Sequence, residues 1–182
     1  MKIIPIVEDY IYSIQYDDET KCEYVRIFDG WHDLDAIIEF FDKYSAEISD
    51  YLCSSIGLRR DEPEKFAKRV IDEADELEGF LLKVAENSKK GYKPDLMSIF
   101  KTLDGKYTGR YDQVPVKAYG TKKPSLLRIY AIELDVNCCL IVYGGIKIRK
   151  TIQESPVLKD MVFRRIDETL EYLFDEGIAQ DD

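Results

Sequence analysis

The sequence has 182 residues, of which 45% are hydrophobic and 34% charged, and its formal net charge is −10. This composition excludes a disordered chain, and the acidic balance argues against a general nucleic-acid binder. The chain has no apolar run of the length of about 20 residues that spans a bilayer, and its first apolar run is broken by Pro5, unlike a secretory signal. We therefore expect a cytoplasmic protein that does not enter a membrane.

The cysteines and the one histidine show no spacing typical of a metal site. Cys22, Cys53, Cys138 and Cys139 form no C-x-x-C pair, and adjacent cysteines on a strand point to opposite faces. We interpret all four as free thiols in a reducing compartment. His32 is the only histidine. We therefore expect neither a metal nor a cofactor.

Charge is unevenly distributed along the chain. Residues 105–153 hold nine Lys and Arg against three Asp and Glu, residues 1–104 hold 14 against 24, and residues 154–182 hold three against nine. A basic segment in an otherwise acidic chain favours a site for an anionic partner. The alternative is that this segment contacts the protein's own acidic helices.

An initial strand and a short helix are predicted near the N-terminus. The aromatic and β-branched residues 10–16 predict the strand. Thr20 and Glu23 have the spacing of a capping box, which predicts a helix that Asp29-Gly30 interrupts. A hairpin strand over residues 22–28 is the alternative.

Three further helical segments follow. Asp33 is a candidate N-cap, residues 45–55 are predicted to be helical up to Gly57, and a long helix is expected from Pro63 to Gly91. One more helical turn is expected over residues 94–100. Five acidic residues are assigned to the solvated face of the long helix: Asp72, Glu73, Asp75, Glu76 and Glu78.

The second half of the chain predicts a sheet followed by a helix. Residues 114–119 are expected to form an edge strand because Pro115 cannot donate to a ladder. Residues 126–134 and 138–143 form a predicted hairpin, after which Gly144-Gly145 leads into the basic run or forms a β-bulge.

These elements together predict an α+β fold, in which a small antiparallel sheet packs against helices and the N-terminal half is helical and acidic. Ser155 and Pro156 are expected as N-cap and N1 of the last helix. We place a boundary between a mainly helical region with an initial strand, residues 1–95, and a region with the sheet and C-terminal helix, residues 96–182.

The segment over roughly residues 96–174 carries short motifs in a suggestive order. They are Leu103-Asp104-Gly105, Leu127-Arg128-Ile129-Tyr130, Val142-Tyr143-Gly144-Gly145, Lys147-x-Arg149-Lys150 and Ser155-Pro156. In this order the segment resembles the RelE/HigB-type toxins of bacterial toxin–antitoxin modules. The resemblance implies a toxin-like antiparallel sheet and, in the active members, metal-independent cleavage of RNA, usually mRNA on the ribosome.

The resemblance also implies roles for individual residues. The expected catalytic residues are Arg128, Lys147 and Arg149, and the expected RNA-binding residues are Lys150, Lys122, Lys123, Tyr130 and Tyr143. Arg128 is the candidate phosphate contact in the transition state, and Tyr130 or Tyr143 is the candidate to stack a base. On a regular strand Lys147 and Arg149 share one face and Lys150 lies on the other.

Two functions from different classes follow. One is an RNA-directed protein of the toxin–antitoxin type, an mRNA endonuclease or an inactive relative, with an antitoxin and RNA or the ribosome as partners. The other is a non-catalytic protein-interaction module with a toxin-like fold. In that alternative Arg128 pairs with Glu133 or a helix acid, the basic run protects an edge strand, and the tyrosines pack in the core. An exposed hairpin edge would also allow an oligomer.

Overall fold

The computed structural model describes residues 1–103 and 113–178. Its strands are β1 (Lys2–Val7), β2 (Ile11–Gln15), β3 (Lys101–Thr102), β4 (Val114–Tyr119), β5 (Leu127–Asp135) and β6 (Cys138–Ile146). Its helices are α1 (Glu23–His32), α2 (Leu34–Lys43), α3 (Asp50–Ile56), α4 (Pro63–Lys90), α5 (Leu96–Ile99) and α6 (Leu158–Asp175), with a 3₁₀ turn at Ser45–Glu47. The predicted Asp104-Gly105 turn and the residues 179–182 lie outside the described part.

These strands form one six-stranded sheet in the order β1-β2-β6-β5-β4-β3. Neighbouring strands are antiparallel except β2 and β6, which pair in parallel. The α+β prediction is therefore confirmed. The two regions predicted from the sequence, 1–95 and 96–182, both contribute strands to this sheet.

Helices cover both faces of the sheet. Ile129 and Ile141 face a core cluster that includes buried residues of α1, α2 and α4. Tyr130 and Val142, each one position away, face a second cluster built with α6. This division follows from the alternation of side chains along a strand. The central strands are buried on both faces, which explains their nearly continuous apolar sequence.

The local signals of several helices are confirmed. The Ala36 amide donates to the Asp33 carboxylate at 3.1 Å, so Asp33 caps α2 as predicted. Pro63 opens α4, and Gly57 and Gly91 end α3 and α4 with φ of 69°. Glycine adopts this left-handed conformation without the penalty that a Cβ imposes.

The N-terminal segment differs from the prediction. The sequence run with Pro5 forms β1, an edge strand, where a proline costs no ladder hydrogen bond. The α1 helix continues through Gly30 because Ile27 and Trp31 on either side are buried in the core. Its N-cap, Cys22, makes no side-chain capping bond, so the capping box and the hairpin alternative are both wrong.

The last helix also starts later than predicted. The Ser155 hydroxyl donates to the Thr151 carbonyl at 2.9 Å and does not cap a helix, and α6 begins at Leu158. Among the described residues no helix is both long and apolar enough to cross a bilayer.

Candidate nucleic-acid interface

The basic segment, residues 147–150, follows β6 and is fixed at two points. The Lys147 amide donates to the Leu126 carbonyl at 2.8 Å, and the Ser49 amide donates to the Ile148 carbonyl at 3.1 Å. Ile148 is buried. The segment is therefore held between the loop before β5 and the start of α3, although it lies outside the regular strand.

A hollow of about 490 Å³ opens beside this segment. Its lining residues are Ser49, Tyr51, Leu52, Pro124, Ser125, Arg128, Lys147, Ile148, Arg149 and Lys150. We call it the main hollow. The three predicted catalytic residues lie here, and Lys150 joins them. The expectation that Lys150 points away was wrong, because the chain bends after Ile146 and strand alternation ends there.

A smaller hollow of about 150 Å³ shares part of the lining of the main hollow. Arg128, Lys147 and Lys150 line both hollows. The small hollow adds Lys117 and Tyr119 from β4. Arg128 therefore lies where the two hollows meet.

Arg128 is oriented by the described residues, but none of them neutralises its charge. Its Nη1 donates to the Ser125 carbonyl at 3.1 Å and the Leu127 carbonyl at 2.7 Å, and its guanidinium lies 4.1 Å from the centre of the Tyr119 ring. Among the described residues no carboxylate forms an ion pair with it, so the pairing with Glu133 is not found. Burial lowers the pKa of Arg128 below its ordinary value. An arginine guanidinium nevertheless stays charged near neutral pH.

The remaining predicted cations fall into two groups. The Lys147 ammonium donates to the Lys150 carbonyl at 2.5 Å, and Arg149 and Lys150 are exposed at the main hollow. By contrast, the Lys122 ammonium lies 2.5 Å from Glu76 on α4. Neither Lys122 nor Lys123 lines the two hollows. The structure thus brings together Arg128, Lys147, Arg149 and Lys150, and leaves Lys122 and Lys123 outside.

The two predicted stacking tyrosines are buried. Tyr130 has no exposed surface and Tyr143 has 5%. They are paired across β5 and β6 and pack in the cluster that α6 covers. Neither offers a ring face to a base, which corrects that prediction in favour of core packing. The exposed ring at the main hollow belongs to Tyr51, a residue that the sequence did not single out.

Glu73 holds the loop that carries the Arg128 acceptors. Its carboxylate accepts hydrogen bonds from the Ser125 hydroxyl, the Leu126 amide at 3.1 Å and the Leu127 amide at 3.3 Å. Glu73 was predicted on the solvated face of α4, but it is fully buried. Its spacing of three from Val70 and four from Leu77, both buried, was the signal available in the sequence.

No group of three or more His, Cys, Asp and Glu side chains within residues 1–103 and 113–178 is arranged to hold a metal ion. His32 instead contacts the Phe28 carbonyl at 2.6 Å and the Asp75 carboxylate at 2.8 Å. The polar side chains that line the main hollow are cationic groups and the hydroxyl groups of Ser49, Tyr51 and Ser125.

Comparison with known proteins does not add a relative. No protein-family model, no curated protein and no solved structure matches this chain.

Proposed function

We propose that this chain is an RNA-directed protein of the toxin–antitoxin type, which binds the phosphodiester backbone of RNA at the main hollow. One observation carries the proposal: Arg128, Lys147, Arg149 and Lys150 surround a single open concavity in a protein of net charge −10. Four cations so placed attract an anion and repel one another in its absence. The order of motifs that resembles the RelE/HigB-type toxins supports the same conclusion.

The residue types suit a phosphate ligand. An arginine binds phosphate through two parallel N–H donors, and a lysine adds a compact charge. Only Nη1 of Arg128 bonds to described residues, so its Nη2 and Nε donors can face the ligand. Partial burial also strengthens this contact, because charges interact more strongly where water is excluded.

The sharper form of the proposal is metal-independent RNA cleavage. A ribose 2′-OH gives its proton to a base and attacks the adjacent phosphorus, which builds additional negative charge on the phosphorane. The bond to the 5′-oxygen then breaks as that oxygen takes up a proton, and a 2′,3′-cyclic phosphate is left. Cations fixed before the reaction stabilise that charge. Arg128 is the candidate for this role because the Tyr119 ring and two carbonyl groups hold its guanidinium in place.

A non-catalytic protein-interaction module with a toxin-like fold is the second candidate. The contact between α4 and the loop before β5 favours it, because Glu76 binds both Lys122 at 2.5 Å and Thr121 at 2.8 Å. Part of the basic region is thus already covered by an acidic helix. In this form the main hollow would bind an acidic segment of a protein partner such as an antitoxin.

Expression in a bacterial host separates these functions. We would compare the wild type with Arg128→Ala, with the double variant Arg149→Ala/Lys150→Ala, and with Arg164→Ala as a control. Arg149 and Lys150 are exposed, so the double variant removes charge without disturbing the core, and Arg164 is an exposed arginine on α6. Growth and total RNA integrity are followed after induction.

We expect the wild type and Arg164→Ala to arrest growth and cleave RNA, and both site variants to relieve the arrest. Normal growth with intact RNA, at confirmed soluble expression, would exclude the nuclease. Binding of a labelled single-stranded oligoribonucleotide by the purified protein then decides the rest. If the wild type binds no RNA, the RNA-directed function is overturned and the interaction module stands.

A further inference from the structure

Tyr51 projects from α3 beside the main hollow. Its side chain is 75% exposed and has no hydrogen bond or ring contact with the described residues. The helix beneath it is well fixed, since the Leu52 amide donates to the Ser49 hydroxyl and the Ser49 amide donates to the Ile148 carbonyl, each at 3.1 Å. The backbone of Tyr51 therefore has a fixed position relative to the basic segment, because its helix is hydrogen-bonded to that segment.

The lining of the main hollow is divided by polarity. Its apolar members are the half-buried Pro124 and the small exposed parts of Leu52 and Ile148, and Tyr51 adds an exposed ring. The four cations, Arg128, Lys147, Arg149 and Lys150, provide the charge. A nucleotide has the same division, with a flat π-face on the base and a charge on the phosphate. The volume of about 490 Å³ lies within the range of small-ligand sites, which is about 300–1,000 Å³.

We propose that the main hollow binds one unpaired nucleobase of an RNA strand, stacked on Tyr51, while Arg128 and Arg149 hold the adjoining phosphate. This inference rests on the proposed function and names its substrate class, which is single-stranded RNA. A phosphate alone would use the cations and leave the ring and the apolar surface without a partner. In duplex RNA the bases stay stacked within the helix and cannot reach Tyr51.

The test measures binding by fluorescence anisotropy with three probes. They are a labelled single-stranded oligoribonucleotide, a labelled duplex RNA with the same strand, and inorganic tripolyphosphate as an unlabelled competitor. The variants are Tyr51→Ala, Tyr51→Phe, Arg128→Ala and the control Tyr92→Ala. Tyr92 is also exposed, at 62%, and does not line the main hollow.

We expect Tyr51→Ala to weaken binding of the single strand about ten-fold, which corresponds to loss of one stacked base. Tyr51→Phe keeps the ring and should retain most of the affinity. Tyr92→Ala should match the wild type. The inhibition constant of tripolyphosphate should be the same for the wild type and Tyr51→Ala, because tripolyphosphate contacts only the cations. Arg128→Ala should lower the affinity for all three probes.

Two results would overturn this inference, and they differ in what they imply for the proposed function. If Arg128→Ala weakens RNA binding but Tyr51→Ala leaves it unchanged, or weakens single strand and duplex equally, the base site is excluded and the RNA-directed function stands. If the wild type binds no RNA, both fail. Tyr51 is exposed, so circular dichroism of Tyr51→Ala should match the wild type and exclude misfolding as the cause.

Discussion

Glu73 is a single acidic residue at a core position of α4. Its carboxylate accepts hydrogen bonds from Ser125, Leu126 and Leu127, and Gly120 leaves room for it, since a Cβ there would lie 1.8 Å from the Glu73 Oε1 atom. Buried polar groups persist only when they are hydrogen-bonded, and this one is bonded to a loop distant in sequence. Glu73 therefore joins α4 to the loop before β5, which orients Arg128.

Replacement of Glu73 by Gln tests this role. The amide can accept with only one of its two ends, so at least one loop donor loses its partner, and we expect the free energy of unfolding to fall by about 1–3 kcal/mol. Gly79→Ala, at an open position of the same helix, is the matched control and should not destabilise the protein. Urea unfolding monitored by circular dichroism measures both.

The difference in stability between the wild type and Glu73→Gln should depend on pH with a defined sign. Burial raises the pKa of Glu73 above its ordinary value of 4.5. A carboxyl group with a raised folded-state pKa contributes stability that is complete below the unfolded pKa and is lost as pH rises through the folded pKa. The stability difference between wild type and Glu73→Gln should therefore be largest below about pH 4.5 and shrink toward neutral pH. A difference that grows with pH would contradict the raised pKa.

At the scale of elements, β6 depends on close approach by two helices. Gly144-Gly145 was predicted either to lead into the basic run or to form a β-bulge. The register shifts between β5 and β6 lie instead at Tyr130/Ala131 and Glu133/Asp135. A Cβ on Gly144 would lie 2.7 Å from the Ile27 Cδ1 atom of α1. A Cβ on Gly145 would lie 2.6 Å from the Leu158 Cδ2 atom of α6. These glycines therefore allow helices to pack on both faces of one strand.

Gly144→Val is the corresponding prediction. The added side chain must displace Ile27, and overpacking of this kind costs about 1–3 kcal/mol. We expect a lower urea midpoint with an unchanged slope, because the fold remains the same and only its stability falls. Ile27→Ala creates space on α1. Gly144→Val should therefore lower the free energy of unfolding less in the Ile27→Ala protein than in the wild type. If Gly144→Val is as stable as the wild type, the packing argument is wrong.

At the scale of the whole molecule, charge is separated between an acidic body and a basic concavity. The chain has a net charge of −10, and Arg149 and Lys150 remain exposed at the main hollow. An acidic body repels nucleic acid in general. Under the proposed function, this arrangement would favour local recognition of a short RNA segment at the main hollow over non-specific coating of long polyanions.

The salt dependence of RNA affinity should report how many phosphates the site contacts. For single strands the logarithm of affinity falls with the logarithm of salt concentration by about 0.7 per phosphate contact. Arg149→Ala/Lys150→Ala removes two cations, so we expect its slope to be shallower than that of the wild type by about 1.4. Arg164→Ala, on the exposed face of α6, should leave the slope unchanged. Equal slopes in all three proteins would place the contacts elsewhere.

Local signals in the sequence were sufficient to predict several helix ends and the β5–β6 hairpin. Asp33, Pro63, Gly57 and Gly91 mark helix ends through their own backbone and side-chain properties, and the β5–β6 hairpin joins neighbouring segments. The local excess of Lys and Arg indicated the basic segment, and the resemblance to the RelE/HigB-type toxins implied Arg128, Lys147 and Arg149 as site residues. Such features need no knowledge of distant contacts.

The tertiary structure alone decided the sheet order and the composition of the site. The parallel pairing of β2 with β6, the hydrogen bonds of Glu73 to the loop before β5 and the position of Tyr51 all join segments far apart in the chain. Hydrophobic periodicity shows which face of an element is buried, but it does not specify the partner that covers it. The resemblance implied Tyr130 and Tyr143 as base contacts, whereas packing buried both rings and left Tyr51 exposed at the main hollow.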